Sequence, residues 1–510
     1  MAQNNAQNKR IVKNTIYLYV RTFFTMLISL YTSRIVLKVL GVDDYGIYNV
    51  VGTIAASFSF LSSTLSNATQ RYLNFAIGEN NMEKANKLFN MNFLIYLIYS
   101  VVAVIIIEVG GTWFIENKMV ISPERVNAAY WVLHATSVTL FFSLLSSVYE
   151  SVLIARENMK IYAYMGIYDA VAKLGIVFLI SFLTVDRLIL YGVLMALMSV
   201  SARMIPAVYS IRHYSETKLH FYWNREWFKD MFKFTGWNVM GTSVFILNDQ
   251  GINMLLNMFF GPIVNTARGL SMQVKNSVTS FAMGFFTAVR PQIVKSYAAG
   301  ETDRFIQLIF NSGKYTFYLL WLFSLPVLLR IDELLAIWLG NVPEWTSEFI
   351  LWIFIFNLIN CSLCDPLWQG IQAIGKMKNY VLYGSIIYSF AFPLSWMAFK
   401  MGHGPLAAFQ IVVMCRVVYF ICAMIIFRKY VEFSAAEYLK TVILPIVYVV
   451  VVSLFFSYLI DKCLPQDIVY TFISCAVTLI VVAISVLCVG VKKDERLLIV
   501  NAVKKKICRS

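Results

Sequence analysis

Apolar runs of about twenty residues, the length needed to cross a bilayer, recur along almost the whole chain with short polar breaks between them. Hydrocarbon offers a backbone amide no water to bond, so runs of this kind must fold as helices. Fourteen spans are predicted, centred in residues 14–36, 47–70, 88–110, 127–154, 160–183, 188–211, 233–258, 262–289, 306–329, 347–370, 380–399, 405–427, 440–460 and 468–490. The fold class expected is an all-α polytopic membrane protein. With 59% of its 510 residues hydrophobic and 14% charged, the chain has no stretch that reads as a separate soluble domain. The N-terminal MAQNNAQNKRIVKN lacks the short apolar core and small-residue cleavage site of a removable signal, so the first helix is expected to stay.

Lys and Arg in the short loops set the orientation. With both termini in the cytoplasm, 28 of the 43 basic residues fall on the cytoplasmic side and seven on the other. Those seven are Lys38, Lys118, Arg125, Arg187, Arg330, Lys400 and Lys462. This asymmetry, with attraction to anionic lipid, accounts for the net charge of +15 without nucleic acid. Of the eight cysteines only Cys463 falls in an outer loop, so no disulfide framework is expected. Cys361 and Cys364 form a CxxC inside an apolar span with no nearby His, which reads as packing.

The chain also repeats itself. RYLNFAIGENNMEKANKLFN follows the second span and RPQIVKSYAAGETDRFIQLIFN the eighth, pairing Gly78, Glu79, Phe89 and Asn90 with Gly300, Glu301, Phe310 and Asn311. Met159, Lys160 and Tyr162 echo Met377, Lys378 and Tyr380 at a similar offset, close to 220 residues. Six spans separate the copies, so both have the same orientation, as in transporters with parallel repeats, where the substrate site lies between the halves. The domains expected are a six-helix lobe over 1–211, a cytoplasmic linker over 212–232, a second six-helix lobe over 233–430, and two further helices with a basic tail over 431–510. The linker's HFYWNREWFKDMFK suits either a helix lying in the inner interface or an aromatic belt at the start of span seven.

Charge inside a bilayer costs roughly 2.5–3.5 kcal/mol per residue, so intramembrane charges should face protein or a wet cavity. In span eight, Asn265, Arg268, Lys275 and Thr279 fall within about one quadrant of the helix. Arg21, Thr25, Ser29 and Thr32 form a similar stripe on span one, and Asn238, Thr242, Asp249, Asn253 and Asn257 another on span seven. Together these stripes would line a central cleft carrying Arg21, Arg268 and Lys275 against Asp249. Asp249, with Asn253 beside it, is either a charge partner or a carboxylate coupling transport to Na⁺ or H⁺. Arg203 and Arg416, on the equivalent spans six and twelve, are further cavity candidates. Arg34 and Lys314 lie near span ends and read as snorkelling side chains. Lys173 has Asp169 one turn before it, an intrahelical pair. A net cationic cleft favours an anion, and a phosphate or pyrophosphate suits Arg and Lys best. Monoatomic anions and acidic sugars remain alternatives.

The opening pattern carries a family resemblance. A basic N-terminus, a span with Arg21, then SRIVLKVLGVDDYGIYNVVGT and a second span ending in ATQRYLNFAIGE, resembles the Wzx-type O-antigen and capsule flippases of the multidrug/oligosaccharidyl-lipid/polysaccharide (MOP) exporter superfamily. The resemblance implies two MATE-like six-helix lobes, with spans 13 and 14 as the extra pair of many members. It implies alternating-access translocation of an undecaprenyl-pyrophosphate-linked oligosaccharide across the bacterial inner membrane, with membrane lipids and other polysaccharide-assembly membrane proteins as partners and no cofactor. Related lipid-linked peptidoglycan-precursor flippases carry cavity arginines on the first and eighth helices, matched here by Arg21 and Arg268. Their second-helix arginine has no counterpart before Arg71. A drug or metabolite antiporter of the same superfamily would be expected to rely on cleft carboxylates, which the cations outnumber here. A membrane glycosyltransferase or polymerase is disfavoured, because no loop exceeds about 20 residues and neither a DxD motif, a P-loop nor a metal cluster is present. Asp43 and Asp44 read as a solvated turn.

Overall fold

The computed structural model describes residues 24–491 and Arg496, apart from 59–65, 67–68, 71, 74–75, 78, 80, 157, 184 and 466. The side chains of 159, 162–163, 230–242, 281–288, 291, 295 and 298 also lie outside the description. Every regular element among the described residues is helical. The chain begins with α1 (Phe24–Leu40), bent by 117° into α2 (Val42–Ala56). There follow α3 (Met82–Asn117), α4 (Val126–Ala155), α5 (Met159–Ser181), α6 (Arg187–His213), α7 (Arg225–Phe260), α8 (Pro262–Ala298) and α9 (Thr302–Leu329). The series ends with α10 (Thr346–Ile374), α11 (Met377–Lys400), α12 (Leu406–Arg428), α13 (Ala435–Lys462) and α14 (Ile468–Gly490).

Among the described residues nine helices are long and apolar enough to cross a membrane, or ten if the bent α1–α2 pair is one span, against the fourteen crossings expected. α7, α8 and α9 have ample length, at 36, 37 and 28 residues, but are more polar. The protein is thus a multi-pass membrane protein. It divides into two compact units, Met1–Leu270 with Phe392–Pro405, and Ser271–Ala391 with Leu406–Ser510, so the division falls inside α8.

Both copies of the Gly-Glu repeat precede a helix, and the glutamate of each pairs with a base in that helix's first turn. Ahead of α3, Glu79 pairs with Lys84 at 2.8 Å, and ahead of α9, Glu301 pairs with Arg304 at 3.1 Å. The repeated phenylalanines, Phe89 and Phe310, are both buried. A second echo is more exact. Gly41 between α1 and α2 has φ 83° and ψ 172°, and Gly261 between α7 and α8 has φ 80° and ψ −176°. This is backbone space that only glycine occupies cheaply. The two turns meet reciprocally in the first unit. Thr266 Oγ1 donates to the Val42 carbonyl at 2.7 Å, while a Cβ on Gly46 would collide with the Pro262 carbonyl. Residues 46 and 266, like 42 and 262, stand 220 apart, so the two contacts are repeat images of each other. Gly269 completes the approach, since a Cβ there would sit 2.9 Å from Asn49 Oδ1. Close backbone approach through small residues is how helices associate where lipid removes the hydrophobic drive.

Two expectations are corrected, and one alternative left open is narrowed. Asp44 is not a solvated turn residue, because it lies in the first turn of α2, where Arg125 Nε donates to it at 2.8 Å and bridges to Asp186 at 2.7 Å. The linker forms no separate interfacial helix. Asn86 donates to the Glu216 and Lys218 carbonyls at 2.9 and 2.8 Å, and buried Glu216 accepts from Arg156 Nε at 2.7 Å, strapping that segment onto the first unit. α7 then starts at Arg225, capped by Asn224, and runs unbroken to Phe260. Lys314 does not snorkel. It is 2% exposed, with Nζ 5.0 Å from the Tyr315 ring centroid, whereas Arg34 is exposed.

In the second unit α13 and α14 are fastened to α9. Arg330, beyond the end of α9, donates through Nε to Asp461 at 2.5 Å and through Nη2 to the Asp461 and Leu464 carbonyls at 3.1 and 3.3 Å. Ser474 donates to the same carboxylate at 2.6 Å, Trp321 Nε1 to Ser453 at 2.9 Å, and Tyr318 to the Gly490 carbonyl at 2.8 Å.

Two stability predictions follow from these contacts. Gly46→Val should cost at least about 1–3 kcal/mol by overpacking, read as a lower melting temperature in detergent. Gly52→Ala on the same helix, with nothing near its added Cβ, should cost nothing. Arg330→Ala strands the Asp461 carboxylate and should cost about 3–5 kcal/mol, exposing the α13–α14 pair to limited proteolysis before the rest of the chain.

Candidate functional site

The polar faces of α7 and α8 close on each other across the Gly261 turn. Nearest the turn, Asn265 Nδ2 donates to the Asn253 carbonyl at 2.7 Å and to its Oδ1 at 2.9 Å. Asn253 in turn donates to Thr53 of α2, whose hydroxyl is bonded to the Asn49 carbonyl at 2.9 Å. One helical turn further, Arg268 Nη2 donates to Asp249 Oδ1 at 2.7 Å and to the Asp249 carbonyl at 3.1 Å. Two rungs of an antiparallel ladder therefore join the helices, one amide to amide and one cation to carboxylate.

The rungs differ in exposure. Asn253 and Asn265 are buried, and their bonds hold helices together. Asn257 behaves likewise, accepting from the Val120 amide at 2.9 Å, as does Asn248 from the Phe392 amide at 2.9 Å. The charged rung is lopsided, since the Arg268 side chain is 7% exposed and that of Asp249 41%. Arg268 Nε finds no acceptor among the described residues. The arrangement offers an accessible carboxylate guarding a guanidinium with donor capacity to spare, a chemistry suited to binding an anion.

Lys275, two turns along α8, belongs to the second unit and is half-buried there. Thr279 donates to the Lys275 carbonyl at 2.8 Å and to Asn357 Oδ1 of α10 at 3.3 Å. Just beyond Asn357, α10 widens into a π-turn over Asn360–Cys364, a distortion frequent at functional sites. Asp365 follows it, accepting from Asn360 at 3.3 Å and feeling the charges of both Lys275 and Arg416. Arg416 is 5% exposed, 4.7 Å from the Tyr419 ring centroid and 5.7 Å from that of Phe356. Cys361 and Cys364 are buried free thiols in this same turn.

Arg203 donates to Glu150 Oε1 at 3.0 Å, tying α6 to α4. Sequence reasoning passed over Glu150 and Asp365. The signal was present, for each is an acid inside an apolar span, on spans four and ten, and each answers an arginine on span six or twelve of its own half. Arg21 and the side chains of Asn238 and Thr242 lie outside the described residues. The structure thus joins Arg268 to Asp249 and Asn265 to Asn253, and gathers Lys275, Thr279 and Arg416 around the π-turn of α10.

Neither protein-family profiles nor curated protein sequences match the chain. Solved structures do. Lipid II flippase MurJ, in an inward closed conformation, is similar over 92% of this chain and 98% of its own, with a TM-score of 0.68 at 16% identity. An inward-facing multidrug resistance MATE family transporter of the MOP superfamily is similar over 81% of this chain and 97% of its own, with a TM-score of 0.67 at 13% identity. The MATE multidrug transporter DinF-BH is similar over 82% and 95%, with a TM-score of 0.62 at 16% identity. The chain has the all-helical fold that these membrane transporters share.

Proposed function

We propose that this protein flips a polyprenyl-pyrophosphate-linked oligosaccharide, of the undecaprenyl-linked type, across the bacterial inner membrane by alternating access, in the manner of Wzx-type flippases of surface polysaccharide assembly. The observation that carries the reading is the basic face of α8. Arg268 is buried with its Nε unbonded among the described residues, and Lys275 follows on the same helix with Arg416 in its unit. Spending the desolvation of such cations inside a membrane makes sense where an anion must be carried through it. Arginine offers a pyrophosphate paired planar donors, and lysine a point charge. A lipid II flippase shares the fold over 92% of the chain and the MATE transporter over 81%, at TM-scores of 0.68 and 0.67, so the architecture accommodates a flippase. Natural partners are the lipid-linked glycan, bilayer lipids and other membrane proteins of polysaccharide assembly.

One observation favours a second reading, a drug or metabolite antiporter driven by Na⁺ or H⁺. Asp249 is accessible, as a cation-binding carboxylate must be, and the fold is also that of MATE transporters.

Removing Arg268 does not leave Asp249 sealed in protein without a partner, so the folded protein should persist. In the producing cell, Arg268→Ala and Lys275→Ala should each lower surface polysaccharide at least about tenfold, the loss of one charge-assisted contact to the head-group, at unchanged membrane levels. Arg34→Ala should be milder. Wild-type polysaccharide in both α8 variants would remove that helix from the head-group site.

A further inference from the structure

We infer that Asp249 is the resident anion of the head-group site, occupying Arg268 in the empty protein and displaced from it when the substrate pyrophosphate binds. The inference rests on the reading of Arg268 as a head-group contact.

Three features of the pair carry it. First, the engagement is partial. Asp249 meets Arg268 through Oδ1 and its own carbonyl, both served by the single nitrogen Nη2, while Nε finds no acceptor among the described residues. A side-on carboxylate would use Nε and one Nη together, the bidentate geometry in which arginine binds carboxylate and phosphate most strongly. Nε is buried, so the stronger mode opens to an incoming anion only once the Asp249 carboxylate swings away.

Second, the side chain able to leave is the exposed one. Asp249 is 41% exposed, so its carboxylate has room to move off, whereas Arg268 at 7% cannot follow it. The backbone on either side is held. Asn248 is fixed by the Phe392 amide, and Asn253, one turn on, by Asn265 and Thr53. Rotation of the Asp249 side chain then removes the carboxylate from Nη2 and leaves only the backbone carbonyl contact in place.

Third, the charges suit release as well as capture. The empty pair is neutral, so it has little hold on single small anions. A pyrophosphate carries several acceptor oxygens and more charge than one carboxylate, so it can displace Asp249. After the site opens to the other leaflet, the returning carboxylate competes the head-group off the arginine. Asp249 is in this sense a specificity and release residue acting through Arg268.

The test uses the purified full-length protein with geranylgeranyl pyrophosphate, which carries the head-group without sugar. Binding is measured for wild type, Asp249→Asn and Arg268→Ala, and flipping of a polyprenyl-pyrophosphate glycan is followed in proteoliposomes. The asparagine keeps the shape and one acceptor but loses the charge, so it should bind the probe at least about tenfold more tightly while flipping more slowly. Arg268→Ala should lose binding. A residue with only a packing role would weaken binding and flipping together. Unchanged or weaker binding by Asp249→Asn, with wild type binding and Arg268→Ala not, overturns the inference and leaves the head-group site standing. Failure of folded wild type and Asp249→Asn alike to bind the probe overturns both.

Discussion

The reciprocal contact between the first turns of α2 and α8 fixes the rest of the candidate site. Where Gly46 faces the Pro262 carbonyl and Thr266 reaches the Val42 carbonyl, backbone lies against backbone. The missing side chain at Gly46 permits it, and that at Gly269 makes room for the Asn49 amide. Arg268 sits between Thr266 and Gly269, so its place is set by the same contact. The positive φ of Gly261 then returns the chain so that α7 runs antiparallel beside it and brings Asp249 to the guanidinium.

A membrane interior makes every polar group account for itself, because hydrocarbon supplies no partner. Along α7 that requirement sorts the polar stripe into two kinds. The amides Asn248, Asn253 and Asn257 bond to α11, to α2 and α8, and to the Val120 amide, and act as structural glue, with Asn257 Nδ2 finding no partner among the described residues. Asp249, on the same helix, keeps two-fifths of its side chain exposed. A second polar group forms in the other unit around the π-turn of α10, where Asp365 meets the fields of Lys275 and Arg416. Each half thus carries an acid on its fourth helix and an arginine on its sixth, Glu150 with Arg203 and Asp365 with Arg416.

Much of this was legible in the sequence because the relevant signals are local. Apolar runs marked most of the helices, and the offset near 220 residues returned in the matched glycine turns and the reciprocal contact. The polar stripes were legible as stripes, since helical periodicity decides which residues share a face. What each face meets is a tertiary fact, so the sequence did not separate the buried amide Asn253 from the accessible acid Asp249. Lys314 shows the same limit from the other side, for nearness to a span end did not make it exposed. Asp44 was misread because its partner Arg125 lies 81 residues away. Glu150 and Asp365 were missed because acids were weighed singly and not against the arginines of their own half.

The central claim is that the charge arrangement serves an anionic lipid-linked glycan and not a cationic drug. Its most direct test is a paired transport measurement on one proteoliposome preparation. A polyprenyl-pyrophosphate oligosaccharide is followed by exposure to an impermeant lectin, and a lipophilic fluorescent cation by its efflux under imposed Na⁺ and H⁺ gradients. The account predicts protein-dependent exposure of the glycan with no gradient-driven efflux of the cation. Cation efflux without glycan exposure would contradict it and make the protein an antiporter.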